Sequence, residues 1–253
     1  MAKCVFLLTG DFHGRLPDAS AEIIRGLRGR EENALLLDAG DAVEAGNLGP
    51  GRSDSPILAK MSAVGYDAMA LGNRESHPLR KLLARKLAAA KFPVLSANMM
   101  AKRQPPPPQV KEFLLRQLAN GVRVAIIGLT VPITAPQSWW SKVTDYVFDA
   151  PEKTAAGLVA KLRGQADLVV ILSHCGIQSD RKLAGIAGVD LVLGGHSHVE
   201  LFETGEGAPI FHSGYLGRKL GRVEVRWENG KVVKIESELL PLSEPQPRRR
   251  GRS

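Results

Sequence analysis

Residues 4–14 read Cys-Val-Phe-Leu-Leu-Thr-Gly-Asp-Phe-His-Gly, so that a short apolar run leads directly into an aspartate and a histidine. A continuous apolar run of strand length is typical of a strand buried on both faces of its sheet. In sheets of this kind, ligands bind just beyond the carboxyl ends of the strands. The stretch therefore predicts a buried strand, Cys4–Leu8, that delivers Asp11 and His13 to a sheet edge.

Four other apolar runs end in the same way. These predicted strands are Ala34–Leu37, Ala68–Leu71, Leu168–Leu172 and Leu191–Leu193. The metal-type ligands that follow them are Asp41, Asn73, His174, His196 and His198. A single aspartate after a strand is usually a turn or cap residue, and a single histidine is usually structural. That interpretation is disfavoured here because it would have to hold independently at all five places. Seven oxygen and imidazole ligands are too many for one ion and suit two.

The rest of the chain alternates helical and strand patterns. Helices are predicted at Asp18–Arg30, Ser55–Val64, Pro78–Ala90, Glu152–Arg163 and Asp180–Ala187. Further strands are predicted at Phe92–Ala97 and Ile210–His212, and Asn-Gly turns predict hairpins between Val110–Gln117 and Val122–Leu129 and between Gly221–Trp227 and Lys231–Leu239. The segment Thr130–Ala150 is predicted as a long loop. These patterns indicate an α+β or α/β fold, with two packed mixed β-sheets flanked by helices.

Length and composition suit one sizeable soluble domain, or at most two small ones. Of the 253 residues, 1–242 are expected to form this domain, while the Pro- and Arg-rich tail 243–253 is expected to be disordered. The sequence shows neither an 18-residue apolar run nor a signal-peptide pattern, so no membrane span and a cytoplasmic location are expected. Cys4 and Cys175 are not spaced as a ligand pair and are expected to be free thiols.

Charge leaves several partners open. The net charge of +8 fits a small anionic substrate, although many proteins without one are equally basic. The basic tail could contact nucleic acid or anionic lipid, but a solvated tail without a partner is favoured. The sequence does not predict an oligomeric state.

Taken in order, these motifs resemble those of the calcineurin-type metallophosphoesterases, and within them the 5′-nucleotidase branch. The family pattern is D-x-H, G-D, G-N-H-[ED], H and G-H-x-H. It stands here as Asp11-Phe12-His13, Gly40-Asp41, Gly72-Asn73-Arg74-Glu75, His174 and Gly195-His196-Ser197-His198. Residues 213–222 are also similar to the end of the nucleotidase catalytic domain, so the resemblance covers about residues 3–240.

The resemblance implies the two-sheet fold and a ligand assignment for two metal ions. The first ion would be held by Asp11, His13 and His198, the second by Asn73, His174 and His196, with Asp41 as the bridge. Two ions about 3.5–4 Å apart can share a carboxylate and activate water at neutral pH. Mixed imidazole and carboxylate ligands suit Mn, Fe, Zn or Co better than Mg or Ca, and the sequence does not choose among those four.

One departure from the family concerns the catalytic histidine that follows the asparagine, because Arg74 stands there. Arginine can bind phosphate oxygens in pairs, but its guanidinium keeps its proton at neutral pH and cannot protonate a leaving group. His77 lies three residues further on, where nucleotidases carry the aspartate that pairs with the catalytic histidine. If a helix begins here, Arg74 and His77 face the same way and His77 could supply the proton. The alternative is that His77 merely lies near the start of the following helix.

A second departure is that the chain stops soon after the catalytic domain, without the C-terminal domain that binds the base in two-domain 5′-nucleotidases. Nucleotide specificity is therefore not expected to carry over. Trp139 and Trp140 lie in the longest loop and could stack on a base or sugar, or simply pack beneath that loop. Cys175, next to His174, is expected to be a packing residue rather than a reactive thiol.

The predicted function is hydrolysis of phosphate monoesters by a dinuclear metal centre, on nucleotides or related metabolites. One alternative is a phosphodiesterase acting on cyclic nucleotides or nucleic acid. The other is a metal-binding scaffold with little turnover, which the loss of the acid histidine favours and the complete set of seven ligands disfavours.

Overall fold

The apolar run near the start of the chain is buried on both of its faces. The computed structural model describes residues 2–47, 49–228 and 230–242, so the predicted tail 243–253 lies outside the described residues. Within the strand Ala2–Thr9, Phe6 and Leu8 face a second sheet, whereas Val5 and Leu7 face a layer of helices. Because neither face meets water, the strand shows no alternation of polar and apolar residues.

The first sheet is mixed and has seven strands. They are β1 (Ala2–Thr9), β2 (Ala34–Asp38), β3 (Ala68–Ala70), β4 (Val94–Leu95), β6 (Val110–Lys111), β14 (Lys219–Glu228) and β15 (Lys231–Pro241). Their spatial order is β15-β14-β1-β2-β3-β4-β6. Strand β14 runs antiparallel to both of its neighbours, whereas β1, β2, β3, β4 and β6 run parallel to one another. The predicted hairpin at the end of the chain is thus confirmed.

The second sheet is also mixed and has six strands. They are β7 (Phe113–Gln117), β8 (Arg123–Thr130), β10 (Leu168–His174), β11 (Leu191–Gly194), β12 (Glu200–Glu203) and β13 (Ile210–Ser213). Their spatial order is β12-β13-β11-β10-β8-β7, and only the two edge strands run antiparallel to their neighbours. A separate antiparallel pair consists of β5 (Met99–Ala101) and β9 (Tyr146–Phe148).

Helices cover the outer face of each sheet, which gives the four layers that the sequence predicted. The helices α1 (Asp18–Gly29), α2 (Pro56–Val64) and α3 (Arg80–Leu87) pack on the first sheet, while α4 (Pro151–Leu162) and α5 (Ile177–Ala184) pack on the second. A third apolar cluster lies between the sheets and includes Leu37, Leu172 and Leu193. No helix in the described part of the chain is both long and apolar enough to cross a bilayer.

Several predicted boundaries are wrong. The predicted strand Val110–Gln117 is split at Glu112, so that β6 joins the first sheet and β7 the second. The predicted strand Phe92–Ala97 shortens to β4, and the predicted loop Thr130–Ala150 contains a 3-10 helix, Trp139–Lys142, as well as β9. The helix predicted from Asp180 begins three residues earlier, since the Ser197 hydroxyl accepts the Ile177 N–H at 2.9 Å and satisfies the start of α5.

Candidate metal centre

Strained backbone marks the loops in which the predicted ligands lie. Six non-glycine residues among those described have positive φ, and five of them are predicted metal ligands with φ between 49° and 70°: Asp11, His13, Asp41, His196 and His198. Side chains rarely adopt this left-handed region, which costs about 1–3 kcal/mol per residue unless the surroundings hold it. Such strain, concentrated in three loops that meet, is typical of a functional site.

The first group of ligands consists of Asp11, His13 and His198. The Nε2 atoms of His13 and His198 lie 3.1 Å apart, and Asp11 Oδ1 lies 3.3 Å from His198 Nε2 and 3.9 Å from His13 Nε2. Asp11 Oδ2 accepts the backbone N–H of His196 at 2.9 Å, whereas the buried Oδ1 has no hydrogen-bond donor. An orphaned carboxylate oxygen beside two imidazole nitrogens fits a cation.

The second group is arranged around His174, whose ring is fully buried. Its Nδ1 lies 2.7 Å from the carbonyl of Ala39, to which it donates, and this contact turns Nε2 toward three other predicted ligands. Asn73 Oδ1 lies 3.1 Å from Nε2, His196 Nδ1 3.3 Å and Asp41 Oδ1 3.4 Å. The four residues therefore present their donor atoms to one point.

The two groups adjoin, because ligand atoms of Asp11, Asp41 and His174 lie within 4.8 Å of one another. The structure thus brings all seven predicted ligands together. Their carboxylate, amide and imidazole groups, and the buried Asp11 Oδ1 that lacks a hydrogen-bond donor, fit divalent metal ions of the kind the sequence predicted. Which ion each residue holds stays a prediction.

Charges within this cluster shift the pKa values of its members in opposite directions. Burial alone would lower the pKa of His174, but the carboxylates of Asp41 and Asp11 raise it to about 9. For Asp41 the signs are reversed: burial alone would raise its pKa, but the hydrogen bond from His174 holds that pKa below its usual range. Burial, followed by the nearby Arg74 cation, lowers the pKa of His13 to about 4. In the metal-free chain, the protonated His174 therefore supplies the positive charge that a metal ion would supply at this position.

Arg74 lies at this cluster, as predicted. Its backbone N–H donates to Asp41 Oδ1 at 2.7 Å, and its Nε lies 3.6 Å from Asp41 Oδ2. The guanidinium also reaches the carbonyl of Glu44 at 3.4 Å and remains partly exposed. The cation is therefore placed beside the predicted metal ligands and remains accessible to solvent.

The helical premise for His77 is wrong. Residues 73–75 form a turn, closed by a 3.1 Å hydrogen bond from Ser76 N–H to the Gly72 carbonyl, and α3 begins only at Arg80. His77 is buried, and its Nδ1 accepts the N–H of Leu79 at 3.0 Å just before α3. This hydrogen bond is the one expected if His77 only lies near the start of the helix. The role of His77 as an acid therefore stays a prediction.

Two buried charged residues that sequence reasoning missed hold the Asn73–Arg74 turn. Glu75 accepts hydrogen bonds from the N–H groups of Asp41, Val43 and Gly72 at 2.9, 2.8 and 3.2 Å. Burial, together with the charge of Asp41, raises the pKa of Glu75 to about 7. The position directly after Arg74 in the motif was the available signal for Glu75.

Lys86 holds the same turn from the other side. Its side chain is 1% exposed, and its ammonium donates to the carbonyls of Arg74 and Ser76 at 2.6 and 3.1 Å. It also reaches the carbonyls of Gly46 and Asn47 at 3.1 and 3.4 Å, and the Asn47 side chain accepts from Asn73 Nδ2 at 2.9 Å. Lys86 thus ties the loop that contacts Asn73 to the turn that carries it. The available signal was its position on the helix face of Leu83 and Leu87.

An aromatic residue stacks on His198, one of the two exposed residues among the predicted ligands. The ring of Tyr215 stacks on His198, with centroids 4.8 Å apart and planes inclined by 5°, and the guanidinium of Arg218 lies 4.7 Å from the Tyr215 ring centre. Both residues belong to the segment that resembles the end of the nucleotidase domain, although no role was assigned to them from the sequence. Stacking restricts the orientation of the His198 ring.

Both tryptophans of the long loop are exposed, which excludes the alternative that they pack beneath it.

The two cysteines are free and buried, as expected. Burial raises the pKa of Cys4 to about 11 and that of Cys175 still further, so neither thiol is a reactive thiolate at neutral pH. Cys175 packs in the cluster beneath α4 and α5.

Comparison with known proteins identifies the family. Residues 5–200 match the family model for the calcineurin-like phosphoesterases, and the chain belongs to this family of phosphoric ester hydrolases. It is 29% identical to the trifunctional nucleotide phosphoesterase protein YfkN of Bacillus subtilis, over 93% of this chain and 19% of that protein. It is 28% identical to human 5′-nucleotidase, over 97% of this chain and 50% of that protein.

The fold is similar to that of solved relatives. The structure of a 5′-nucleotidase precursor from Thermus thermophilus superposes with a TM-score of 0.81 at 25% identity, covering 95% of this chain and 54% of that one. The chain therefore spans about half of the length of these nucleotidases, and less of YfkN.

Proposed function

We propose that this protein is a dinuclear metal-dependent phosphomonoesterase acting on nucleotides or related phosphorylated metabolites. The observation that carries the proposal is the convergence of seven metal-type ligands in two adjoining groups, with the Arg74 cation beside them. The similarity to 5′-nucleotidases supports a nucleotide substrate. Residues 1–242 are proposed as the catalytic domain and 243–253 as a dispensable tail.

Asp11, His13 and His198 would hold one ion and Asn73, His174 and His196 the other, with Asp41 between them. When bound, two such ions would lower the pKa of a water molecule toward neutrality and offset the negative charge of a phosphoryl group. The buried Asp11 and His174 exclude water from the inner side of the centre, so that a substrate reaches it from the side of His198 and Arg74.

Arg74 binds and orients the phosphoryl group through its guanidinium, whose donors match phosphate oxygens in pairs. Its backbone hydrogen bond to Asp41 keeps the side chain at the centre whatever the substrate. A guanidinium has no proton to give at neutral pH, so the leaving oxygen needs another acid. His77 is the proposed acid, and its hydrogen bond from Leu79 leaves the neutral ring's proton on Nε2.

Turnover of model esters tests the proposal directly. The metal-free protein and its Mn²⁺-loaded form are assayed on p-nitrophenyl phosphate, bis(p-nitrophenyl) phosphate and a panel of nucleoside monophosphates, with Asp41→Asn as the inactive control. We expect Mn²⁺-dependent hydrolysis of the monoester and of one or more nucleotides. Faster turnover of the bis ester would instead identify a phosphodiesterase, and binding of metal without turnover would identify a scaffold.

A further inference from the structure

Two tryptophans form an exposed stacked pair on the surface of the long loop. Trp139 and Trp140 are 64% and 57% exposed, and their ring centroids lie 4.1 Å apart with planes inclined by 27°. Val143, directly after this 3-10 helix, is 53% exposed and adds to the exposed apolar surface. Large aromatic side chains that remain exposed to water on a protein surface mark interaction sites.

Three exposed cations lie on or against the 3-10 helix that carries this pair. The ammonium of Lys102 donates to the Ser141 carbonyl at 2.5 Å, and Arg103 Nη2 donates to the Lys142 carbonyl at 2.6 Å. Both side chains are thereby held against the backbone of the 3-10 helix that carries the tryptophans, and Lys142 itself lies on that helix. Within the described ranges none of the three cations is paired with a carboxylate, so their charge is available to an anion.

Hydrogen bonds fix the loop near both of its ends, at its start to a residue of the candidate metal centre. At its start, Val131 N–H donates to the carbonyl of His174 at 3.1 Å. Near its end, Asp145 N–H donates to the Pro78 carbonyl at 2.8 Å, and the Asp145 carboxylate accepts the N–H of Arg80 at 2.8 Å. The tryptophan pair therefore lies on a segment fixed to the strand of His174 and to the residue after His77.

We propose that this aromatic–basic patch (Trp139, Trp140, Lys102, Arg103 and Lys142) binds single-stranded nucleic acid. Bases stack on the outer tryptophan faces, and the cations contact the backbone phosphates. Aromatic faces accept any base, and flanking cations follow the phosphates, which is how proteins bind single strands without sequence preference. A purely apolar partner would leave the three cations unpaired, whereas an oligonucleotide satisfies both halves of the patch.

The test measures binding without turnover. A fluorescein-labelled 12-mer of deoxythymidine is titrated with the full-length protein in EDTA and 50 mM salt, and binding is followed by anisotropy and by quenching of tryptophan fluorescence. EDTA removes the metals on which the proposed hydrolysis depends, so failure of one proposal does not imply failure of the other. We expect binding that quenches tryptophan emission and weakens steeply as salt is raised.

Variants separate stacking from charge. Trp139→Ala/Trp140→Ala should weaken binding about 10-fold or more, and Trp139→Phe/Trp140→Phe should retain most of it, because phenylalanine still offers a ring face. Arg103→Gln/Lys142→Gln should weaken binding and reduce its salt dependence. Lys231→Gln/Lys234→Gln, which removes the same charge from the β15 hairpin, is the matched control and should change binding little.

Three results would overturn the proposal. One is the absence of oligonucleotide binding at 50 mM salt. Another is binding of heparin, a polyanion without bases, with an affinity and a sensitivity to the tryptophan substitutions equal to those of the oligonucleotide. The third is tryptophan-dependent binding of phosphatidylglycerol vesicles with no binding of the oligonucleotide, which would make the patch a membrane-contact surface.

Discussion

Arg74 contacts both carboxylate oxygens of Asp41, through its backbone N–H to Oδ1 at 2.7 Å and through its Nε to Oδ2 at 3.6 Å. The proposed bridging ligand and the proposed phosphate-binding cation are therefore positioned as one unit. A substitution of Asp41 should disturb both the metals and Arg74, whereas a substitution of Arg74 should disturb substrate binding while the carboxylate remains. This asymmetry underlies the first two predictions.

The first prediction concerns metal content. The protein loaded with Mn²⁺ should hold about two ions per chain, and Asp41→Asn should lower occupancy at both positions because it weakens a shared ligand. Elemental analysis after gel filtration measures both. Asp54→Asn, a surface change, is the control. One ion or none in the folded, metal-replete wild type would contradict the dinuclear assignment.

The second prediction separates the roles of Arg74 and His77 by the leaving group. General acid catalysis is worth about 10²–10⁴-fold when the leaving oxygen is basic. His77→Ala should therefore slow hydrolysis of a nucleoside monophosphate strongly and p-nitrophenyl phosphate far less, because p-nitrophenolate departs without a proton. Arg74→Ala should slow both esters.

His77→Asn serves as the control for structure, since its side chain can still accept the N–H of Leu79. If His77→Ala leaves the nucleotide rate unchanged, His77 is a helix-start residue only. If Ala slows both esters while Asn restores both rates, the loss came from the hydrogen bond to Leu79 rather than from a missing proton donor.

The third prediction is that metal affinity rises with pH. In the metal-free chain, burial alone would lower the pKa of His174, but Asp41 and Asp11 raise it to about 9. A metal ion needs the neutral imidazole, so binding at pH 7 must displace this proton, and affinity should rise up to about tenfold per pH unit between 7 and 9 before levelling off. His13, whose pKa is lowered to about 4, is already neutral and adds no slope.

Calorimetric titrations with Mn²⁺ under argon, in buffers of different ionisation enthalpy, count the protons released. A release near one proton per chain at pH 7, falling toward zero above pH 9, is expected from His174. An affinity that stays flat from pH 7 to 9 would show that His174 is neutral before the metal arrives.

The strands, and the convergence of the candidate ligands that follow them, could be predicted from sequence because burial on two faces leaves a continuous apolar run, and the residues after such a run lie at the sheet edge. In the parallel register, Thr9 at the end of β1 lies opposite Asp38 at the end of β2, and Ser173 of β10 lies opposite Gly194 of β11. The loops that follow each of these strand pairs therefore begin side by side. Local sequence was sufficient here because each strand is regular up to its last residue.

Long-range contacts explain what sequence could not predict. The split at Glu112 depends on β6 and β7 pairing with strands of different sheets, which no local pattern records. The turn at Asn73–Arg74 is held by Glu75 and Lys86, which also bond to the backbone of the loop after β2. The helical pattern of Pro78–Ala90 predicted a helix there but not these contacts. The helical premise for His77 failed for the same reason.

The fourth prediction concerns the tail. Residues 243–253 lack the apolar residues needed to add to a core. Deletion of these residues should leave the melting temperature within about 1 °C of the full chain and leave turnover of p-nitrophenyl phosphate unchanged. Differential scanning calorimetry and steady-state kinetics measure the two quantities. A loss of several degrees would show that the tail packs on residues 1–242.

The last prediction concerns Lys86, the buried cation behind the Asn73–Arg74 turn. Lys86→Met keeps the length and apolar stem of the side chain but leaves the carbonyls of Arg74 and Ser76 without their donor, at a cost of about 1–3 kcal/mol for a buried group. Because the same ammonium holds the Asn47 loop that contacts Asn73, kcat/KM should fall about 10-fold or more and the ion at Asn73 should bind more weakly. Lys60→Met, which removes a lysine bonded to the Leu16 carbonyl at 2.8 Å, is the matched control.

A double-mutant cycle distinguishes positioning from plain stability. If Lys86 acts by positioning Arg74, Lys86→Met should cost much less in kcat/KM when Arg74 is already alanine, since contacting residues of one network are not additive. A residue that only stabilises the fold would lower the melting temperature and cost the same factor in both backgrounds. Unchanged turnover and metal affinity in Lys86→Met, with only the melting temperature reduced, would show that the buried lysine supports the fold and not the centre.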